Sequence, residues 1–465
     1  MKYYVTPNDE GIMGKDDSES IQNAVNYAVN YGVGRVFIPR VNERTGKQLW
    51  DIERAVILSS DLEIVLDNCV LRQADGACDN VFRSHKTTEE AEDADAALHD
   101  IRIIGKGKAV IDGGVHNGLN EHIWKTQGGK HIALNNMILL LNVNHFVIEG
   151  ISFENQRWWA IHLGFAEYGR LSNLHFHCEC EYPNLDNIDL RDGCHDIIIE
   201  NITGQSGDDM IALSAIGCPV FKTDLKTGYR LAVPGRSKDI HDITIRNIIG
   251  TSVDCAVIAI RFSDGRKVYN ITIDNVHDVD NGALEAGKCY PEYPKASINM
   301  AIRRKRVGNH PYALIRIGQD GYYRERLNEL GEVYGITATN LYSRGGVAVM
   351  INVCLKDSYF GNIHADNDVD YIITTKSGRV QQNYGAHISN TVFENIFYDN
   401  TDNDFATAFD FDTNQEIKHK LENVVINRAF LGNCKNIFNM KLKGNVIFRD
   451  LYGKNVEKQS GEIFG

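Results

Sequence analysis

Val147-Ile148-Glu149-Gly150-Ile151, Ile198-Ile199-Glu200-Asn201-Ile202 and Thr244-Ile245-Arg246-Asn247-Ile248 are copies of one short pattern. A β-branched stretch is followed by a small or amide residue and then by another apolar one. Thr272-Ile273-Asp274-Asn275-Val276 and Val392-Phe393-Glu394-Asn395-Ile396 repeat it later, and Leu171-Ser172-Asn173-Leu174 is a weaker copy. Asn201 to Asn247 spans 46 residues and Asn247 to Asn275 spans 28. These steps match one or two turns of a coil of roughly 20–29 residues, the repeat range of a solenoid.

A single coil cannot bury its apolar face, whereas stacked coils build a continuous core. Parallel strands on successive coils lie ~4.8 Å apart, so the recurring asparagines are expected to hydrogen-bond to one another as a ladder. The run is long and strand-rich without hairpin turn signals, which disfavours a sandwich or a propeller. The expected fold is all-β, a right-handed parallel β-helix. Asp16-Asp17-Ser18-Glu19-Ser20 offers a cap, and Ile21, Ala24, Val25 and Ala28 follow at helical spacing. This predicts an N-terminal helix of three turns, ended at Gly32 and Gly34, that shields the open end of the solenoid. Arg35-Val36-Phe37-Ile38 and Leu62-Glu63-Ile64-Val65-Leu66 read as the next strands. The chain is expected to be one domain over 1–465, with 1–95 as cap and first coils and 96–465 as coils with rim loops.

Composition bounds the partners. The 465 residues are 43% hydrophobic and 24% charged, which is ordinary for a folded chain and excludes wholesale disorder. Lys and Arg number 49 against 62 Asp and Glu, a net charge of −13. That balance argues against nucleic acid, which needs a basic surface. No apolar run nears the ~20 residues that span a bilayer, so no membrane partner is expected. The longest, Met137–Val143, is broken by Asn142 and suits a buried strand. The ten cysteines have no framework spacing, which fits reduced thiols. The opening shows no signal peptide, so the expected location is the cytoplasm, or outside the cell if a leader has been removed.

The chemistry concentrates in Asn184-Leu185-Asp186-Asn187-Ile188-Asp189 and Gly207-Asp208-Asp209-Met210-Ile211-Ala212. Asp186 and Asp208 are 22 residues apart, one coil of the repeat. Acids commonly punctuate turns, and Gly-Asp-Asp is an ordinary turn sequence. The one-coil offset is what favours a site. Gathered acids repel one another, which raises at least one pKa and keeps a proton available. Glycosidic cleavage needs one protonated acid for the leaving oxygen and one carboxylate for water.

On these motifs the chain resembles glycoside hydrolase family 28, the polygalacturonases and rhamnogalacturonan hydrolases of the pectin-lyase-like β-helix superfamily. The family carries Asn-Thr-Asp-Gly-Ile-Asp and then Gly-Asp-Asp-Cys-Ile-Ala about one coil later. The opening helix segment, Val36-Phe37-Ile38-Pro39 and Trp159-Ala160-Ile161-His162 also match. The resemblance implies an inverting glycoside hydrolase. Asp208 would be the general acid, and Asp186 and Asp209 would hold and deprotonate water. Asn184 and His162 join the implied substrate-binding set, and no metal or organic cofactor is required. The absent leader suggests an imported oligosaccharide and exo-action. The alternatives on such a scaffold are a polysaccharide lyase, an intramolecular sugar transferase or a non-catalytic carbohydrate-binding β-helix.

Two departures stand out. The family's Gly-His-Gly is replaced by Thr251-Ser252-Val253-Asp254-Cys255-Ala256, which has no histidine. The Arg-Ile-Lys that binds the galacturonate carboxylate has two possible counterparts, Arg261 or the pair Arg303 and Lys305. The pair is favoured, because a strand and turn precede it as in the family; a solvated basic run is the plainer alternative. His175-Phe176-His177-Cys178-Glu179-Cys180 suggests a metal cluster, yet in a strand the histidines face one way and the cysteines the other. They are therefore read as coil residues. Trp158 and Trp159 offer a sugar-stacking platform or core filling.

Overall fold

The structure, a computed structural model, describes residues 3–77, 79–84, 96–114, 135–178, 184–216, 233–253, 255–262, 265–279, 312–318, 332–375, 387–398, 406–411, 420–434, 436–453 and 456–464. It divides into two compact units. One is built mainly on Met1–Gly207, the other mainly on Asp208–Gly217, Lys238–Glu285 and Ile298–Gly465.

The first unit opens with the helix Asp17–Asn30. The Asp16 side chain accepts from the Glu19 N–H at 2.8 Å, satisfying one of the donors a helix start leaves open. Ile21, Ala24, Val25 and Ala28 are buried, and Gly32 and Gly34 take left-handed φ of 65° and 67° as the chain leaves. Parallel strands follow. Arg35–Ile38 pairs with Leu62–Asp67, which pairs with Leu98–Lys106, which pairs with Val143–Glu149. A second face stacks Val56–Leu58, Phe82–Ser84, Ile138–Leu141, Ile161–Gly164 and Ile188–Leu190. Ile138, Ile161 and Ile188 align, as do Leu140, Leu163 and Leu190, all without solvent exposure. Each such side chain contributes roughly 1.5–3 kcal/mol of burial. In the Glu167–His177 strand, Phe176 is buried while His175 and His177 face out. Cys178 is buried just beyond them, so the four do not converge; Cys180 lies outside the described residues.

In the second unit, Ile211–Ala215, Ala256–Phe262, Ala313–Ile317, Gly346–Ile351, Val369–Thr374, Thr407–Phe411 and Asn436–Met440 form one parallel face. Ile240–Ser252, Lys267–Asp278, Glu332–Ser343, Cys354–Ala365, His387–Tyr398, Lys420–Leu431 and Lys443–Gly453 form another. The strand Val456–Phe464 turns back antiparallel on the last of these. It covers an edge that would otherwise invite pairing.

The asparagine ladder is present in both units. Asn173, Asn201, Asn247, Asn275, Asn340, Asn362 and Asn395 all take φ near +55°. Asparagine tolerates this region because its short amide bonds locally. Asn201 Nδ2 donates to Asn173 Oδ1 at 3.0 Å in the first unit. Asn275 donates to Asn247 at 2.9 Å, and Asn362 and Asn395 continue the series at 3.1 Å each in the second. The repeat that marks the fold is thus the residue that bends each coil. Among the described residues no helix is long and apolar enough to cross a membrane.

Candidate active site

The second unit holds Asp208, Asp209 and Arg261. Met210, Ile211 and Leu213 are fully buried and anchor the start of the Ile211–Ala215 strand, which leaves the two aspartates at the bend before it. Ser252 fixes that bend. Its hydroxyl donates to the Asp208 carbonyl at 2.6 Å and accepts from the Cys255 N–H at 2.8 Å. The Met210 N–H reaches Ala256 O at 3.0 Å.

The two carboxylates then diverge in environment. Asp208 is partly exposed. Asp209 has no solvent exposure; its Oδ1 accepts from the Ala256 N–H at 2.9 Å and its Oδ2 is ion-paired with Arg261. Burying a carboxylate is costly unless it is paired and hydrogen-bonded, and Asp209 is both. One oxygen of Asp208, one of Asp209 and Cys255 Sγ lie within 4.8 Å of one another. Cys255 occupies the segment where the resembled family has its histidine.

Arg316 completes this group and was not singled out by the sequence reading. The strand paired with Ala256–Phe262 is Ala313–Ile317, with Ala259 beside Arg316. The Arg316 side chain is 4% exposed, and its Nη1 donates to Cys255 Sγ at 2.9 Å. The signal was present in Ile315-Arg316-Ile317, an Arg-Ile core one strand later than Arg261. Gly318 stands where the family pattern would put lysine. Arg303 and Lys305 lie outside the described residues.

The first unit holds Asn184, Asp186 and His162. Leu185 and Ile188 are buried inside the coil, and the Gly207 N–H holds Leu185 O at 3.0 Å. Asn184 turns the chain at φ 66°. Asp186 is 1% exposed, and its carbonyl accepts from the Ala160 N–H at 2.9 Å. His162 lies beside Asp189 in register. Its Nδ1 is 3.3 Å from Asn136 Oδ1, and its ring meets Trp159 edge-on with centroids 4.9 Å apart. Burial, and secondarily the Arg191 charge, hold His162 well below the usual histidine range. It is therefore neutral at pH 7. Arg191 lies over the Trp159 ring, 5.0 Å from its centroid. Both Trp158 and Trp159 are 7% exposed, which leaves little ring face for a broad stacking platform.

No family model matches the chain, and no curated protein matches it in sequence. Solved structures match it in fold. A hyperthermoactive exopolygalacturonase from Thermotoga maritima is 13% identical with a TM-score of 0.54, covering 99% of this chain and 94% of its own. The A-module of a mannuronan C-5 epimerase from Azotobacter vinelandii is 12% identical with a TM-score of 0.54, covering 97% and 100%. The tailspike of the E. coli bacteriophage HK620 is 12% identical with a TM-score of 0.52, covering 96% and 78%. With parallel coils in both units and these likenesses, the fold is a right-handed parallel β-helix capped by one N-terminal helix.

Proposed function

We propose that the chain is an inverting, exo-acting glycoside hydrolase that cleaves a pectin-related or other oligosaccharide. The neighbours in fold include a hydrolase and an epimerase, so the scaffold alone leaves the reaction open. The aspartates carry the reading. The single observation behind it is the contrast in the second unit between an accessible Asp208 and a buried, doubly bonded Asp209 within 4.8 Å.

Asp208 is the accessible partner and is assigned to protonate the leaving glycosidic oxygen. Asp209, ion-paired with Arg261, is assigned with Asp186 to the attacking water. Each of its oxygens keeps a further lone pair for that water. Asp186 is enrolled on the 22-residue spacing in the sequence, one lap of the coil. Inversion requires acid and base carboxyls about 6.5–9.5 Å apart, wider than the closest Asp208 and Asp209 oxygens, so the anomer of the product decides between inversion and retention. No step calls for a metal or an organic cofactor. The one-domain organisation and a cytoplasmic location belong to the same proposal.

Reducing-end release is measured across pectic and neutral oligosaccharides, with the anomer of the first product followed by NMR. Release of the inverted anomer, lost by at least ~10²-fold in Asp208→Asn, is expected. Full-rate turnover by that variant refutes the assignment of the acid. An unsaturated product absorbing in the near ultraviolet makes the protein a lyase instead.

A further inference from the structure

One row of the second unit carries polar atoms that nothing in the reaction above uses. Ser214 pairs with Arg261, the Gly318 N–H donates to Ile260 O at 2.8 Å, and the Asn352 N–H donates to Ile317 O at 3.0 Å. Continuing this register places Ser214 and Arg261, on two strands, beside Gly318 and Asn352, each just past the end of the next strand in turn. Their inner neighbours Leu213, Ile260, Ile317 and Ile351 are fully buried in the core, so the row belongs to the opposite face.

Ser214 is fully buried, Asn352 is 2% exposed and Arg261 8%. Ser214 Oγ, Arg261 Nε and both amide atoms of Asn352 have no hydrogen-bond partner among the described residues. A buried polar atom left unsatisfied costs about 1–3 kcal/mol, so four in one row call for a partner. Gly318 lets the Asn352 amide pack close against the row. Its φ is +103°, and a β-carbon there would collide with Asn352 Oδ1 and Val353.

We propose that the row Ser214–Arg261–Gly318–Asn352 recognises a neutral, hydroxyl-bearing sugar ring; this rests on the saccharide reading above. A free carboxamide accepts from one hydroxyl and donates to its neighbour, and a serine hydroxyl likewise does both. Vicinal sugar hydroxyls donate and accept, whereas a carboxylate only accepts. Within the row the one charge, that of Arg261, is already balanced by Asp209. The row therefore has no spare cation to offset a uronate carboxylate, and Gly318 supplies none.

D-Galactose and D-galacturonate differ at C6 alone. Ligand-observed NMR titrations of both sugars on the full chain give their affinities without requiring turnover. Galactose is expected to bind at least tenfold more tightly. Asn352→Ala is expected to weaken it by at least tenfold, and Ser214→Ala, which removes one oxygen, in the same direction. Circular dichroism checks that each variant is folded. Equal or tighter binding of galacturonate, no binding of either sugar, or galactose affinity unchanged in both variants overturns the proposal. Sugar binding without hydrolysis would instead refute the enzyme reading and leave this one standing.

Discussion

Arg261 and Asp209 form a buried ion pair: the carboxylate has no exposure, and the guanidinium side chain is 10% exposed. Each aspartate oxygen has one partner, since the Ala256 N–H donates to the other. The pair thus holds Asp209 inward beside its more accessible neighbour. Asp208 is left partly exposed because its neighbour is held inward.

Breaking the pair should cost more than the pair is worth. Arg261→Met strands a buried carboxylate, and removal of one partner of a buried pair typically costs about 3–5 kcal/mol. Adding Asp209→Asn to Arg261→Met should recover part of that loss. Urea denaturation of the two single variants and the double variant measures the coupling, and strictly additive losses would contradict the pairing.

The adjacent aspartates should separate stability from catalysis. Asp208→Asn alters a partly exposed group and is expected to leave the thermal midpoint within a few degrees while turnover falls. Asp209→Asn leaves Arg261 buried without its counter-charge and should lower both. Paired melting curves and initial rates test this, and equal melting points for the two variants would count against it.

Much of this was legible in the sequence, for physical reasons. Asn201, Asn247, Asn275 and Asn395 recur because each coil must bend through a left-handed residue, so the geometry writes itself as a repeat. The Asp16 cap and the buried positions Ile21, Ala24, Val25 and Ala28 were equally visible, since local propensity and tertiary burial agree there. The missed residues, Arg316 and Asn352, sit on or just past strands that meet Arg261 only through register. Long insertions of unequal length separate those strands, so spacing counted along the chain does not reach them. Trp158 and Trp159 admit a platform or a core reading, core filling being the commoner for aromatic residues, and their burial agrees with it.

The ladder should show its two components in substitutions at Asn275, which has φ 57° and donates to Asn247 at 2.9 Å. Asn275→Ala loses the amide bond and keeps a β-carbon, without the amide's local bonding, in a region that costs about 1–2 kcal/mol. Asn275→Gly loses the bond but not the conformation. The alanine variant is therefore expected to be less stable than the glycine variant by about 1 kcal/mol in urea melts. Equal stability of the two variants would mean that the position contributes through the side-chain bond alone, and the reverse order would contradict the backbone argument.

His162 should make the first unit sensitive to acid. Its folded pKa lies well below the ordinary value of 6.5, chiefly through burial and then through Arg191. Below about pH 6.5 the unfolded chain therefore binds a proton that the folded chain refuses, and stability falls as pH drops. Between pH 7 and pH 5.5 one such histidine removes about 1 kcal/mol. His162→Leu has no proton to take up, and leucine suits the position because Leu139 is its neighbour in register. The variant is expected to have a different absolute stability and a shallower acid dependence by that amount. Urea melts at several pH values give both slopes; parallel slopes would mean that His162 takes up its proton equally in the folded and unfolded chains.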